Sequence, residues 1–540
     1  MRDQKESKFV WPVAIISMFV IVALRCFDSA MATEPDSTFL YNRAYQLLDC
    51  LKNGYWPFLY YNDVGGIGYG SPIFYGQLTL LPFLPFLGSI SSFLKVYFLA
   101  CVVVNFFGFR FLVKRFSSYA TLSACFYIVG VPFIFFLATG MYPAALATGI
   151  SWYFFAFCVD YFRDGKGFAF LILTYFLVWQ TNFNSVVFAT IVCFLLFLKY
   201  FDRKRFRDYA RLFICVWYII LFDIVNILTH LDALRLVDFS SWFLGDMSSE
   251  RVVFSSLPFG GFFFRNLMAV FGDFDRCCGF LSFGAFIVLF RGILVSWKKE
   301  SSHFRFLVSL TVWVVAIGYV VGFRDYWGVV YQSTQPFFQF PIRYFILVFG
   351  FVVLILSRVV KPGKLTAVVL VLSVLDIFLV NPLTVASSEA DPTFVYQRIV
   401  HGEYAGSNFV DGMSVYETYG KAVNSQNGYS YSFVNEYNGL TVDCSENVGG
   451  DVITLPKLYY YGYKAVGSNG ETFTVHSGYS NYCEVAIGDY QGELRLQYHV
   501  SGVVMTCFWL QLFCLSRLCV WLLRFTIDKV RVYYASSKRK

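Results

Sequence analysis

Residues 35–43 read PDSTFLYNR and residues 65–76 read GGIGYGSPIFYG, and these two segments bound a polar stretch in an otherwise apolar chain. The stretch follows the first hydrophobic segment, near residues 10–27, and combines a carboxylate, an arginine and a glycine-rich turn. Charged groups beside a bilayer are costly, and those found there usually serve a function. This stretch is therefore the first place to look for a functional site.

The composition excludes an ordinary soluble globular protein. Of the 540 residues, 57% are hydrophobic and only 14% are charged, whereas soluble domains carry roughly 25% charged residues. A chain this apolar needs a bilayer to cover its surface, so we expect many transmembrane helices. The net charge of +8 does not indicate nucleic-acid binding, because the basic residues lie between hydrophobic segments, where they set topology.

Hydrophobic segments suited to a helical span occur about twelve times. A basic cluster follows every second candidate, which is the pattern of the positive-inside rule and places both termini in the cytoplasm. We therefore predict a polytopic α-helical membrane protein with a transmembrane module over 1–384, a long outer loop over 28–92, and a last helix with a basic cytoplasmic tail over 502–540. The candidate spans lie near 10–27, 94–112, 118–138, 143–161, 167–181, 185–200, 209–229, 278–297, 304–323, 338–358, 364–384 and 502–523.

Residues 385–501 differ from the rest of the chain, because long apolar runs vanish and Gly, Asn, Ser and charged residues increase. Alternation of polar and apolar residues over 471–476 and 493–500 predicts antiparallel strands. The length suits a β-sandwich-like domain, and the topology places it outside the cytoplasm. Cys444 and Cys483 lie in this region, where either a disulfide or two unpaired thiols fit the sequence.

The polar stretch holds the candidate catalytic groups. Asp36 opens an amphipathic helix, so it is either an N-cap or a functional carboxylate. In the functional reading it acts as a general base or holds a divalent cation such as Mg²⁺ or Mn²⁺ against a phosphate. Asp28 and Glu34 are rival carboxylates at the same level. Arg43, two turns further on, is either a phosphate ligand or a surface arginine that snorkels.

The glycine-rich turn gives no nucleotide-binding signal. Neither a Gly-Lys-Ser/Thr sequence nor a preceding strand accompanies its glycines. We interpret Gly68, Gly70, Pro72 and Tyr75 as a structural turn, since glycine lets the backbone bend tightly.

Two further polar groups lie at hydrophobic segments. Residues 339–343 read QFPIR, which puts Arg343 at the outer headgroup level, either as a second phosphate ligand or as an anchor in an aromatic belt. Asp223, Asn226 and His230 form a polar stripe along the seventh candidate span. Acids inside a membrane usually face the interior of a helix bundle, but these groups form no chain through the bilayer, which argues against a proton-relay transporter.

Three motifs together resemble the GT-C superfamily of polytopic glycosyltransferases, and within it the bacterial YfhO-like and PTPS-related membrane proteins. The first combines residues 36–43 with the turn over 68–76; the second is QFPIR at 339–343; the third is LPKLYYYGYK at 455–464. The motifs cover about a tenth of the chain, and the resemblance depends on their order and spacing. One departure is Leu40, where the family often has a histidine.

The resemblance implies transfer of a sugar from a polyprenyl-phosphate donor to a glycan or lipid-linked acceptor on the extracytoplasmic face. In that reading Asp36 takes the place of the loop carboxylate, and Arg43 and Arg343 take those of the donor-binding arginines. The C-terminal β-domain would position the acceptor, and the cell would be bacterial, with the protein in its plasma membrane. A lipid or polysaccharide flippase or transporter, and a non-enzymatic envelope assembly factor, remain the alternatives.

Overall fold

The computed structural model divides the chain into two compact units. The first comprises Met1–Tyr41, Pro82–Arg203 and Phe239–Ala390, and the second comprises Asn42–Leu81, Lys204–Asp238 and Asp391–Lys540. The residues whose structure is described are 10–26, 35–55, 68, 70, 73, 75–138, 140–231, 308–309, 311, 345–359 and 419–537.

The described part of the chain is mostly helical, as the composition predicts. Four stretches are long and apolar enough to cross a membrane: Ile90–Val113, Tyr142–Asp164, Arg203–Thr229 and Gly502–Asp528. The count of about twelve spans stays a prediction, because several of the candidate spans lie largely outside the described residues. In chain order the helices are α1 Val10–Cys26, α2 Pro35–Lys52, α3 Ile90–Val113, α4 Ala120–Ile128, α5 Val131–Ala138, α6 Tyr142–Asp164, α7 Phe168–Thr181, α8 Phe183–Tyr200, α9 Phe206–Thr229, α10 Phe345–Val359 and α11 Gly502–Ser537.

Helices α3 and α6 cross closely at the centre of the first unit. A Cβ placed on Gly108 would lie 2.5 Å from the Gly149 carbonyl oxygen, so glycine permits this approach. Beside the crossing, the buried Asn105 donates to the carbonyls of Cys101 and Ala145 and accepts from the Tyr127 hydroxyl at 3.0 Å. A polar side chain is thus accommodated in an apolar core because both ends of its amide are bonded.

One predicted span of the first unit differs in detail from the structure. The single span expected over 118–138 is two helices, α4 and α5, which are interrupted at Val129–Gly130. Pro132 accounts for the interruption, since a helix usually ends before the residue that precedes a proline. After the glycine-rich turn, Leu78–Phe86 forms a 3₁₀-helix with two prolines inside it.

In the second unit, α9 packs along α11. The Phe222 and Phe508 rings meet edge to face at 5.2 Å, and the Gln511 amide donates to the Asp223 carboxylate at 2.9 Å. Buried side chains on α9 include Ile219 and Ile220. The contact therefore combines apolar packing with one polar pair inside two membrane-length helices.

The C-terminal region forms two antiparallel sheets, which confirms the prediction of a β-rich region. One sheet has the order β1-β4-β8-β7 and the other has the order β2-β3-β9-β5-β6. The strands are β1 Asn424–Ser425, β2 Ser432–Glu436, β3 Gly439–Asp443, β4 Asp451–Leu458, β5 Tyr463–Gly467, β6 Thr472–Phe473, β7 Val475–Ser477, β8 Tyr482–Gly488 and β9 Glu493–Tyr498.

Of the two alternating patterns in this region, one forms a single strand and the other is divided between two strands. The pattern over 493–500 is the single strand β9, with Leu494 and Leu496 buried. The pattern over 471–476 is divided, because β6 pairs in one sheet and β7 in the other. Cys444 and Cys483 are both buried free thiols. The structure therefore shows two unpaired cysteines and not the disulfide that the sequence also allowed.

Candidate functional site

The candidate carboxylates lie at the start of α2 or before it. Helix α2 begins at Pro35, which suits proline because the first helical position needs no N–H donor. Asp36 is therefore in the first turn rather than at the cap, where a carboxylate is favoured by the helix dipole. The Asp36 side chain lies outside the described structure, as do Asp28 and Glu34 entirely.

Arg43 is held inside the second unit and is not a surface arginine. Its side chain is 4% exposed, and its Nη2 donates to the Gly76 carbonyl at 2.9 Å. The guanidinium lies 4.4 Å from the centre of the Tyr75 ring, a cation–π arrangement. Because α2 buries Ala44 and Leu47 on the same side of the helix, Arg43 is directed inward by packing.

The turn that precedes Tyr75 is held by the β-domain. Gly68 has φ of 79°, the left-handed region that favours glycine. Gly70 lies against Tyr460, since a Cβ on Gly70 would be 2.5 Å from the Tyr460 ring. The Tyr460 hydroxyl hydrogen-bonds to the Gly70 backbone, and burial raises the pKa of this phenol. Pro72 lies outside the described residues.

The end of α9 also contacts this turn. The Asn226 amide donates to the Ile73 carbonyl at 3.3 Å. One turn later, His230 Nδ1 lies 2.8 Å from the Asn226 carbonyl, and Nε2 lies 3.1 Å from the Tyr498 hydroxyl. A carbonyl oxygen cannot donate, so Nδ1 carries a proton, and Nε2 also lies 3.3 Å from the Tyr461 carbonyl oxygen. His230 is buried, so this network fixes the ring.

The segment 70–76 is thus held at three points within the second unit. Arg43 of α2 binds its end, Asn226 of α9 binds its middle, and Tyr460 packs on its beginning. The structure therefore brings the first and third motifs together, although they lie far apart in the sequence. Arg343 and the rest of the second motif lie outside the described residues.

Lys457 belongs to the third motif, but the sequence analysis did not predict that its side chain is buried. It lies in the irregular part of β4 between Leu455 and Leu458, where the register with β8 shifts. Its side chain is fully buried, and desolvation lowers the pKa of the amine to about 8, with Cys483 opposing the shift. The only sequence signal was a lysine within the apolar run ITLPKLYYY.

Comparisons with protein-family models, with curated proteins and with solved structures find no match for this chain. The family resemblance therefore rests on the three motifs, and function has to be argued from the residues of the site. No group of three or more His, Cys, Asp or Glu side chains converges within the described ranges. A divalent cation at Asp36 stays a prediction.

Proposed function

We propose that the protein is a membrane glycosyltransferase that takes a sugar from a polyprenyl-phosphate donor and transfers it to a glycan or lipid-linked acceptor on the extracytoplasmic face. The observation that carries the proposal is Arg43, a buried cation held by Tyr75 and Gly76 beside apolar helices. A guanidinium fork matches the charge and geometry of a phosphate, and the donor carries such a phosphate.

The chemistry follows from the types of residue in the stretch. The acceptor hydroxyl attacks the anomeric carbon and gives its proton to a carboxylate, for which we propose Asp36, with Asp28 and Glu34 as the rivals. The bond between that carbon and the phosphate oxygen breaks, and the phosphate leaves with the electron pair. Arg43 and Arg343 stabilise the leaving charge, alone or with Mg²⁺ or Mn²⁺ held by Asp36.

Arg43 is suited to this role because its orientation is fixed. Its Nη2 is bonded to the Gly76 carbonyl, and the Tyr75 ring covers one face of the guanidinium. A fixed fork loses little freedom when it binds an anion, which favours stabilisation of a developing charge.

The membrane setting is part of the proposal. We place both termini in the cytoplasm of a bacterial cell, about twelve spans in the plasma membrane, and the β-domain outside, where it positions the acceptor. Four membrane-length helices support the bilayer association. The contacts of Tyr460 with Gly70 and of Tyr498 with His230 support a role of the β-domain at the site.

The test is sugar transfer in right-side-out and inverted vesicles with a radiolabelled polyprenyl-phosphate hexose. We expect transfer on the outer face, its loss in Asp36→Asn, and a fall of about 10²-fold in Arg43→Lys, which keeps the charge but loses the fork. Arg524→Lys on the exposed side of α11 is the matched control and should transfer normally. If the wild type transfers no sugar from any lipid-phosphate donor, the proposed glycosyltransferase activity is rejected.

One observation favours a second candidate, a flippase or transporter. Asp223 and Gln511 form a polar pair between α9 and α11, inside two membrane-length helices. A transporter would move the lipid-linked sugar across the vesicle membrane without forming a glycosidic product. The same vesicles distinguish the two, because transport protects the label from an added glycosidase whereas transfer changes the mass of the acceptor.

A further inference from the structure

We propose that Cys158 and Cys193 are an oxidative modification site, where a hydroperoxide joins the two thiols in a reversible disulfide that ties α6 to α8. The Cys158 thiol donates a hydrogen bond to the Cys193 sulfur, and the two Sγ atoms lie 3.6 Å apart. Both side chains are free thiols. The proposed sugar transfer does not use them, so the inference is independent of that activity.

The packing of the helices holds the two sulfurs close together. One turn after them, the Phe162 and Phe197 rings meet edge to face at 5.8 Å, so α6 and α8 run side by side in the same direction. One turn before Cys193, the Thr190 hydroxyl of α8 lies 3.0 Å from the Tyr175 hydroxyl of α7. A disulfide bond is about 2.05 Å long, so the sulfurs have to approach by about 1.5 Å. Rotation of the two side chains supplies that approach without sliding a helix.

The two thiols differ in access. Cys158 is fully buried, whereas Cys193 is half-buried. Cys193 borders an exposed stripe of α8 that includes Phe194 and Leu198. An oxidant from outside therefore reaches Cys193 first and finds the Cys158 thiol in contact with it. This is the arrangement of redox-sensor cysteines, in which an accessible thiol lies next to a resolving thiol.

The surroundings select the class of oxidant. Asp160, two residues after Cys158, pairs with Arg115 at 2.5 Å, and Lys199 lies in the last turn of α8. The thiol pair therefore lies near the charged ends of both helices, within reach of the aqueous phase as well as the lipid. The stripe beside Cys193 is apolar, and a charged oxidant is costly there. Hydroperoxides are small and neutral, and they include both H₂O₂ and oxidised lipids.

The chemistry takes two steps. The Cys193 sulfur attacks the outer oxygen of the hydroperoxide, the O–O bond breaks, and water or an alcohol leaves with the thiol proton. The Cys158 sulfur then attacks the Cys193 sulfenic acid, the S–S bond forms, and the hydroxyl leaves as water with the second thiol proton. The two thiols lose two electrons and the peroxide gains them. The hydrogen bond from Cys158 assists the first step, since it stabilises negative charge on the attacking sulfur.

The experiment treats the full-length protein in detergent with H₂O₂ or with cumene hydroperoxide, blocks the remaining thiols with N-ethylmaleimide, and maps peptides without reduction. We expect one peptide of combined mass containing Cys158 and Cys193, which dithiothreitol separates. The oxidised protein should melt at a higher temperature, because the bond constrains the unfolded chain. A faster reaction with cumene hydroperoxide would identify lipid hydroperoxides as the source, and a faster reaction with H₂O₂ the aqueous phase.

The variants separate the two roles. In Cys158→Ser the sulfenic acid on Cys193 has no resolving thiol, so dimedone should capture it. In Cys193→Ser we expect neither the linked peptide nor more than about a tenth of that dimedone capture at Cys158, because Cys158 is shielded. Cys215 of α9 is also a half-buried free thiol. Cys215→Ser is therefore the matched control and should form the linked peptide with the wild-type yield.

A wild-type protein that forms no linked peptide with either hydroperoxide, while Cys193 is oxidised to its sulfinic acid, would overturn the inference. A linked peptide that joins Cys193 to a different cysteine would overturn the pairing. Equal dimedone capture at Cys158 in Cys193→Ser would overturn the order of the two steps. The peptide map of the wild type decides the pairing even if a variant fails to fold.

Discussion

The substitution Gly70→Ala tests whether the turn and the β-domain are held as the structure shows. The new Cβ would lie 2.5 Å from Tyr460 Cε1, 2.7 Å from Cζ and 3.1 Å from Ile73 Cδ1. Contacts under about 3 Å between carbon atoms are repulsive, since carbon atoms are at their optimum near 3.5–4.0 Å. The Tyr460 ring is buried, so it has no open space into which it can move.

The magnitude follows from overpacking. Inserting a methyl group into a packed site costs about 1–3 kcal/mol, and about 1.4 kcal/mol corresponds to a tenfold change in an equilibrium constant. We therefore expect the equilibrium constant for packing the turn on Tyr460 to fall by about fivefold to 140-fold. Loss of the bond between the Tyr460 hydroxyl and the Gly70 backbone would add to this effect.

The assay is thermal unfolding of the full-length protein in detergent, combined with the rate of limited proteolysis within the turn. Gly88→Ala is the matched control, because a Cβ at Gly88 meets nothing within 4 Å. The double variant Gly70→Ala with Tyr460→Leu removes the ring atoms and should recover part of the loss. If Gly70→Ala behaves as Gly88→Ala does, the contact between the turn and Tyr460 is wrong.

Three further predictions concern other parts of the fold. Lys457 has its pKa lowered to about 8 from 10.5 by burial, so between these pH values the unfolded chain binds more protons and stability rises with pH, by up to roughly 3 kcal/mol. In a pH series of melting temperatures, Lys457→Met should lack this rise. Gly149→Ala should lower the free energy of unfolding by about 1–3 kcal/mol, and with it the melting temperature, because its Cβ would lie 2.9 Å from the Asn105 backbone nitrogen. Cys444 and Cys483 should each take one maleimide in denatured protein that has not been reduced, as peptide masses will show.

Each of these has a contrary result. A rise with pH that is the same in wild type and Lys457→Met would mean that another group titrates. An unchanged melting temperature in Gly149→Ala would contradict the close crossing of α3 and α6. A single peptide of combined mass containing both Cys444 and Cys483 would show a disulfide instead of free thiols.

The sequence by itself determined the membrane-length helices, the β-rich C-terminal region and the extent of α2. These features are encoded locally, by the length of an apolar run, by alternation along a strand, and by a stop such as Gly54, whose φ is 71°. Local patterns also placed Asp223, Asn226 and His230 on one stripe. They did not reveal that the pattern over 471–476 divides between two sheets.

Only the tertiary structure decided what those groups meet. Asn226 contacts Ile73 and His230 contacts Tyr498 across separations of 153 and 268 residues. No periodicity connects such positions, because each contact depends on how α9, the turn and the β-domain pack. Tertiary packing also decides the burial of Arg43 and Lys457. Charged side chains are mostly exposed in proteins, so the sequence alone predicts exposure for both.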